Sequence, residues 1–326
     1  MNSELRQDIV SGDWIVIAPG RAKRPDQLLK KEKRIKALKK DCVFEDPQKT
    51  NSHPVFIFPD DKKKWRVQVI PNKYPVFASK NICPQAYNHG PYSIIEGIGR
   101  HEVVISKDHD KNFPYLSKED ANLVFRAFKE RYLNIANDIC SVYVAIFQNW
   151  GRKAGASIYH PHYQIMSIPV VPPDVSHSIS GSDNFYKRNK KCVHCEMIEW
   201  EKEYGKRIVY ENEGAIVFAP FISREPFELR VFPKKHLSYF EDTAENDMEF
   251  AVEALQAALK KIKIKLKDPD YNFFIHTAPV KDKKAHSHYH WHIEILPKIS
   301  ISAGFELGTG IEITMVDPDE AAKILR

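Results

Sequence analysis

Apolar and polar positions follow two distinct periods along this chain. Apolar residues recur at three- and four-residue steps over residues 117–137 and 241–265, which predicts two helices with one buried face each. Elsewhere the period drops to two, or a short apolar run is continuous. These stretches predict strands over residues 14–17, 65–70, 102–106, 142–149 and 158–168, then 208–217, 227–232, 271–276 and 288–296. Strand candidates outnumber helix candidates and often neighbour each other in sequence. That order favours an α+β fold, an antiparallel sheet with helices packed on it.

The candidates also fall into two similar series. Residues 160–169 align without a gap on residues 288–297, placing His288 opposite His160, His290 opposite His162 and His292 opposite Gln164. Upstream, residues 102–109 parallel residues 228–236, and the two stretches end in His109 and His236. Earlier still, Cys42 and Glu45 parallel Cys192 and Cys195 at the same spacing. The chain is therefore expected to hold two tandem units, residues 1–171 and 192–326. A polar linker at 172–191, rich in Ser, Pro, Asp and His, should join them.

A length of 326 residues suits one large core or two ordinary ones, and 43% hydrophobic with 28% charged residues is the balance of a soluble globular protein. No apolar run reaches membrane-spanning length, and the amino terminus lacks the apolar core of a signal peptide, so no membrane partner and a cytoplasmic setting are expected. Five cysteines, an odd number, argue against a disulfide framework and leave metal binding open. The net charge of +6 is modest, and the basic runs at 30–40 and 260–267 read as solvated faces. No aromatics interleave them, so no nucleic-acid partner is expected, although a phosphate-bearing substrate would benefit from the positive field.

One stretch carries most of the chemistry. Residues 147–164 place an apolar run before a loop holding Gly151, Gly155 and Ser157, followed by His160, His162 and Gln164 at alternating positions. On a strand those three side chains share one face. The loop's backbone N–H groups can hold phosphate oxygens, and a neutral imidazole beside such a nest is a competent nucleophile toward phosphorus.

These residues resemble the galactose-1-phosphate uridylyltransferase family of the histidine-triad superfamily, whose active strand reads Ser-x-x-His-Pro-His-x-Gln, matched here by Ser157, His160, Pro161, His162 and Gln164. The segments 11–19 and 21–25, 71–75, 226–228 with 233–236, and 304–306 are similar to further family signatures, so the resemblance covers nearly the whole chain. It implies a nucleotidyl group passed through His162, from a nucleotide-sugar to a hexose-1-phosphate, with Gln164 and Ser157 at the phosphoryl oxygens. It places Lys23, Arg24, Asn72, Asn149 and Gly155 around the nucleotide, and Phe305 with Glu306 at the hexose. Gln164 stands where hydrolytic relatives carry a third histidine, and a neutral amide cannot activate water, which favours transfer. A homodimer is implied as well. Some relatives with a cysteine pair in each half are adenylyl transferases acting as ADP-glucose phosphorylases, which is the alternative activity; a noncatalytic nucleotide-binding module is the alternative of another class.

The repeat also predicts metal sets. Cys192, Cys195, His236 and His288 form a Cys₂His₂ set suited to structural zinc. The first-half counterpart is Cys42, Glu45, His109 and His160, a weaker set because a glutamate stands where the family's second cysteine is usual. Ser178 stands where the iron site of some family members has its glutamate, so that site is expected to be absent.

Overall fold

The computed structural model describes residues 2–22, 34, 36–50, 53–61, 63–138 and 140–326. Lys23 and Arg24 lie outside them. The strands are β1 (Glu4–Gln7), β2 (Trp14–Ile17), β3 (Phe56–Phe58), β4 (Val67–Pro71), β5 (Ala86–His89), β6 (Tyr92–Ile95), β7 (His101–Ser106), β8 (Tyr143–Trp150), β9 (His162–Ile168), β10 (Ile208–Glu211), β11 (Ala215–Phe218), β12 (Leu229–Pro233), β13 (Tyr271–His276), β14 (His292–Pro297) and β15 (Ile313–Thr314). The helices are α1 (Lys118–Ala136), α2 (Pro173–Asn189), α3 (Val193–Tyr204), α4 (Glu245–Lys265), α5 (Gly304–Thr309) and α6 (Pro318–Leu325).

Ten strands make one sheet in the order β10-β11-β12-β14-β13-β8-β9-β7-β4-β3, and every pairing in it is antiparallel. The order is a five-strand series followed by its mirror, β13 matching β8, β14 matching β9 and β12 matching β7. Phe147 pairs with Phe274 where β8 meets β13, and each occupies the same place in its own series, opposite Gln164 or Glu294. A local two-fold axis therefore passes between them. The sheet runs unbroken through both halves.

Helices α1 and α4 cover one face. Their apolar stripes, among them Leu123, Phe125, Phe128, Leu255 and Leu259, meet Tyr163, Ile165, Phe273 and Ile275 of the sheet in one continuous buried cluster. Burying each large side chain of this kind contributes about 1.5–3 kcal/mol. Ser117 starts α1 by accepting the Asp120 N–H. Alternation along β7, β8 and β9 sends the other set of side chains, including His101, Asn149, His162 and Gln164, to the opposite face.

Several expectations need correction. The expected polar linker is largely helical: α2 places Val175, Ile179 and Ser182 inward at four- and three-residue steps, and Gly181 lies against the Val10 carbonyl, where a Cβ would collide. The expected strand at 208–217 is two strands, β10 and β11, because Asn212 caps a turn by accepting the Gly214 and Ala215 N–H groups. β14 begins at His292, so His288 stands before the strand rather than on it. Cys83 and Cys140 form a disulfide, contrary to the expectation from cysteine number, with Cα atoms 5.3 Å apart. Cys42, Cys192 and Cys195 remain free. No described helix is long and apolar enough to cross a membrane.

Candidate active site

His162 opens β9 opposite Ile105 of β7, and its ring is 9% exposed beside the fully buried His160. Its Nδ1 donates to the His160 carbonyl at 2.8 Å. That bond assigns the proton to Nδ1 and leaves the Nε2 lone pair available. Phe44 packs against the ring at 5.2 Å between centroids, limiting its rotation. Burial pushes the His162 pKa down despite the bond to the His160 carbonyl, so the ring is neutral at neutral pH.

Gln164 is oriented by a residue that sequence reasoning missed. The Val76 N–H donates to Nδ1 of His101 at 3.2 Å, so His101 carries its proton on Nε2 and donates it to Gln164 Oε1 at 2.8 Å. With its oxygen engaged, Gln164 turns its NH₂ outward as a donor. Asn72 lies in the same chain of contacts: its N–H donates to the His101 carbonyl, and its Nδ2 is 3.0 Å from His101 Nε2. His101 follows Arg100 at the start of β7, and no motif or spacing distinguishes it in the sequence.

The glycine loop follows β8. Gly151 and Gly155 hold φ of 89° and 91°, a region that L side chains avoid, and together they curl the backbone around residues 152–154. Asn149, two residues before the loop, brings its Nδ2 to 3.5 Å from where a Cβ on Gly155 would stand. Ser157 is exposed on the same connection. Phe305 and Glu306 lie on α5, where Glu306 accepts the Ala303 N–H and Phe305 is 47% exposed; neither is hydrogen-bonded to or stacked on the residues around His162.

Two donor clusters flank the sheet. In the first half, Cys42, His109 and His160 converge, with Cys42 Sγ 3.5 Å from His160 Nδ1. Glu45 joins them: its Oε1 is 3.1 Å from His109 Nδ1 and 3.6 Å from His160 Nδ1. Both rings donate from Nε2 to backbone carbonyls, of Ala37 and Ser106 respectively. Their Nδ1 lone pairs therefore point inward, and the His109 Nδ1 and Glu45 Oε1 acceptors face each other, buried, with no donor between them. A bound cation resolves that opposition. Burial pushes His160 down to about 4, which keeps the ring neutral, the form a metal requires.

The second cluster corrects the repeat alignment. Cys192, Cys195, His236 and His290 converge, and His290 takes the place expected of His288. Sγ of Cys195 is 3.4 Å from His236 Nδ1 and 3.6 Å from His290 Nδ1, while His236 Nε2 donates to the Ser287 carbonyl. Contact with Cys195 holds the Cys192 thiol far below its ordinary value against the opposing effect of burial, with the neighbouring imidazoles adding to it. His288 instead stacks on Tyr186 at 5.9 Å. Strand pairing explains the difference: Gln164 and Glu294 hold the same register, so His160 corresponds to His290 and His162 to His292.

The second half consequently has no free counterpart of His162 among the described residues. His292 is buried, pushed down to about 3 mainly by desolvation, and lies 3.5 Å from Glu294. Burial raises the Glu294 carboxyl, but Arg224 and Arg230 outweigh it and hold the group well below the usual carboxylate range. His276, His292 and Glu294 also form a three-donor group, yet its carboxylate is already paired with both arginines.

A neutral histidine beside an oriented amide and a glycine loop, on one face of a two-fold sheet with paired donor clusters, defines a class of nucleotidyl-transferring proteins. The sequence model of the galactose-1-phosphate uridyl transferase amino-terminal domain matches residues 1–172, and one described as a domain of unknown function matches residues 97–325. The chain belongs to the galactose-1-phosphate uridyl transferase family. It is 34% identical to the ADP-glucose phosphorylase of Arabidopsis thaliana, over 99% of this chain and 92% of that protein. It is 28% identical to the galactose-1-phosphate uridylyltransferase of Thermotoga maritima, over 99% and 98%. Among solved structures, the Arabidopsis thaliana ADP-glucose phosphorylase with bound ADP-glucose superposes with a TM-score of 0.84 at 31% identity, covering 99% of this chain and 98% of that one.

Proposed function

We propose that this protein transfers a nucleotidyl group from a nucleotide-sugar through a covalent intermediate on His162. The observation that carries the reading is the hydrogen bond of His162 Nδ1 to the His160 carbonyl, which leaves Nε2 unprotonated beside Gln164. Nε2 attacks the α-phosphorus, the bond from phosphorus to the bridging oxygen breaks, and hexose-1-phosphate leaves as an anion. In the second step an acceptor oxygen attacks the same phosphorus and the N–P bond returns its electron pair to Nε2. No net proton transfer to the leaving group is required, which suits an amide at Gln164. The amide, Ser157 and the backbone of the loop through Gly155 stabilise charge on the five-coordinate phosphorus. Asn72 and Asn149 line the nucleotide, a role that the family resemblance also assigns to Lys23 and Arg24.

ADP-glucose with inorganic phosphate as acceptor is the favoured substrate pair, supported by the 34% identity to the Arabidopsis enzyme along nearly the whole chain. Uridylyl exchange between UDP-glucose and a hexose-1-phosphate is the second reading, supported by the Thermotoga relative. Both donor clusters are read as zinc sites that staple the loops before β9 and β14, since thiolate and imidazole donors suit that ion. A homodimer is proposed, in which Phe305 and Glu306 of one protomer reach the hexose site of its partner. Incubation with ADP-glucose or UDP-glucose, without acceptor, should leave one nucleotide per chain by intact mass, mapping to His162 and lost in His162→Ala. Labelling that survives that substitution would sink the assignment. Phosphate against hexose-1-phosphate as acceptor then separates the two activities.

A further inference from the structure

We propose that Asp270 and Asn272 of the second unit are positioning residues that hold the phosphate loop and the Asn149 amide of the first unit in place for transfer, an inference that rests on the role given above to His162.

Asn272 is the register partner of Asn149 where β13 meets β8. Its Nδ2 donates to Asn149 Oδ1 at 2.8 Å and to the Ala154 carbonyl at 2.8 Å. Because Asn149 Oδ1 is taken as an acceptor, its own NH₂ must turn the other way, and Nδ2 is the atom that faces Gly155. The substrate side of Asn149 is therefore a donor, the polarity a phosphoryl oxygen needs. The logic repeats that of His101 and Gln164.

Asp270 acts two residues earlier, immediately before β13. Its carboxylate accepts the Lys153 N–H at 2.8 Å and occupies the space a Cβ on Gly151 would fill. Arg34 secures the carboxylate at 3.0 Å while lying 4.2 Å from the Trp150 ring centroid. The loop is thus fixed at the Asn149 side chain, the Lys153 N–H and the Ala154 carbonyl, and all three anchors come from the second unit. Donors held in advance of reaction stabilise developing charge without a reorganisation cost.

The local two-fold axis does not repeat these two side chains. The offset that carries Phe147 to Phe274 carries Asn149 to His276, and it carries Ala145 to Asn272 and Tyr143 to Asp270. The second unit, whose own counterpart site is closed by ion pairs, has its corresponding loop held differently, with the Val280 N–H donating to the Val142 carbonyl at 3.0 Å and Ala145 offering no amide where Asn272 does. Its contribution to transfer is to hold its neighbour's loop.

Two measurements test this in the full-length protein. Hydrogen exchange of residues 150–156 does not depend on the reaction, and it should rise in Asp270→Ala and Asn272→Ala while melting stays near wild type; unchanged exchange overturns the clamp. Single-turnover nucleotidyl transfer from ADP-glucose or UDP-glucose should slow about 10- to 100-fold in those variants, within the range of losing one charge-stabilising donor. Asn272→Asp removes the donor and presents an acceptor, so it should rotate Asn149 and be slower than Asn272→Ala. Asp270→Asn keeps an oxygen for the Lys153 N–H and should restore most of the rate. Binding of AMP or UMP should change less than about threefold, since positioning acts chiefly on the transition state. Transfer within threefold of wild type despite raised exchange overturns the positioning role. Wild-type protein that never labels at His162 counts against the functional reading instead, and exchange then decides the clamp alone.

Discussion

His101 shows how much a single side chain can decide. It accepts from Val76 with one nitrogen and donates to Gln164 with the other, so only the neutral ring serves both neighbours. Burial lowers its pKa below the ordinary 6.5, partly opposed by the Gln164 bond. The unfolded chain therefore takes up this proton first. Stability is full above pH 6.5 and is lost progressively as pH falls toward the lowered folded value. Melting at pH 7.5 and 5.5 should show a larger acid loss in wild type than in His101→Phe. The same substitution frees the Gln164 amide to rotate and should slow single-turnover transfer about tenfold, the scale of one hydrogen bond. A variant with wild-type rate would remove His101 from the site.

At the scale of elements, α1 and α4 were legible because one face of each is buried over many turns, and long periodic stretches resist accident. β13 matched its expected bounds, whereas α2 did not announce itself in a segment dense with polar residues. The histidine strand shows a subtler limit. A shift of two residues keeps every side chain on its face, so the sequence 288–292 offers two ways to overlay the His160 and His162 pair. Only hydrogen-bond register placed His290, not His288, in the donor cluster. The two donor clusters should also differ in strength. Structural zinc can contribute on the order of 10 kcal/mol to folding, and Cys192 with Cys195 supplies two thiolates. Cys195→Ser should remove close to one equivalent of metal and lower the melting temperature severely. Glu45→Ala should cost less stability and act mainly on turnover, through His160 beside His162. Equal losses in metal analysis and melting would refute the unequal pair.

For the whole molecule, the exposed surface bears on assembly. Tyr74, Val76, Ile82, Tyr87 and Tyr92 are all more than half exposed around β5 and β6, and Ile301 and Leu307 flank Phe305 with 84% and 78% exposure. Apolar groups gathered this way mark surfaces that are covered in an assembly. Light scattering should report twice the chain mass of 37.7 kDa, and Tyr87→Glu with Tyr92→Glu should shift it toward one chain. A single-chain mass for wild type would exclude the dimer. The disulfide belongs to this scale too. It joins Cys83, ahead of β5, to Cys140 after α1, across a separation of 57 residues. Counting cysteines could not foresee it, because pairing depends on which distant segments the fold brings together.

The sequence by itself determined the α+β class, the two-fold series of strands, and the motif that puts His162 and Gln164 on one strand face. Those features rest on local periodicity and on contiguous residues, which survive without knowledge of contacts. Tertiary structure alone decided the choice of His290 over His288, the use of His101 and Asn272 to aim two amides, and the Cys83–Cys140 link. Each of these is a meeting of residues far apart in the chain, and a long-range meeting leaves no local pattern from which it can be read.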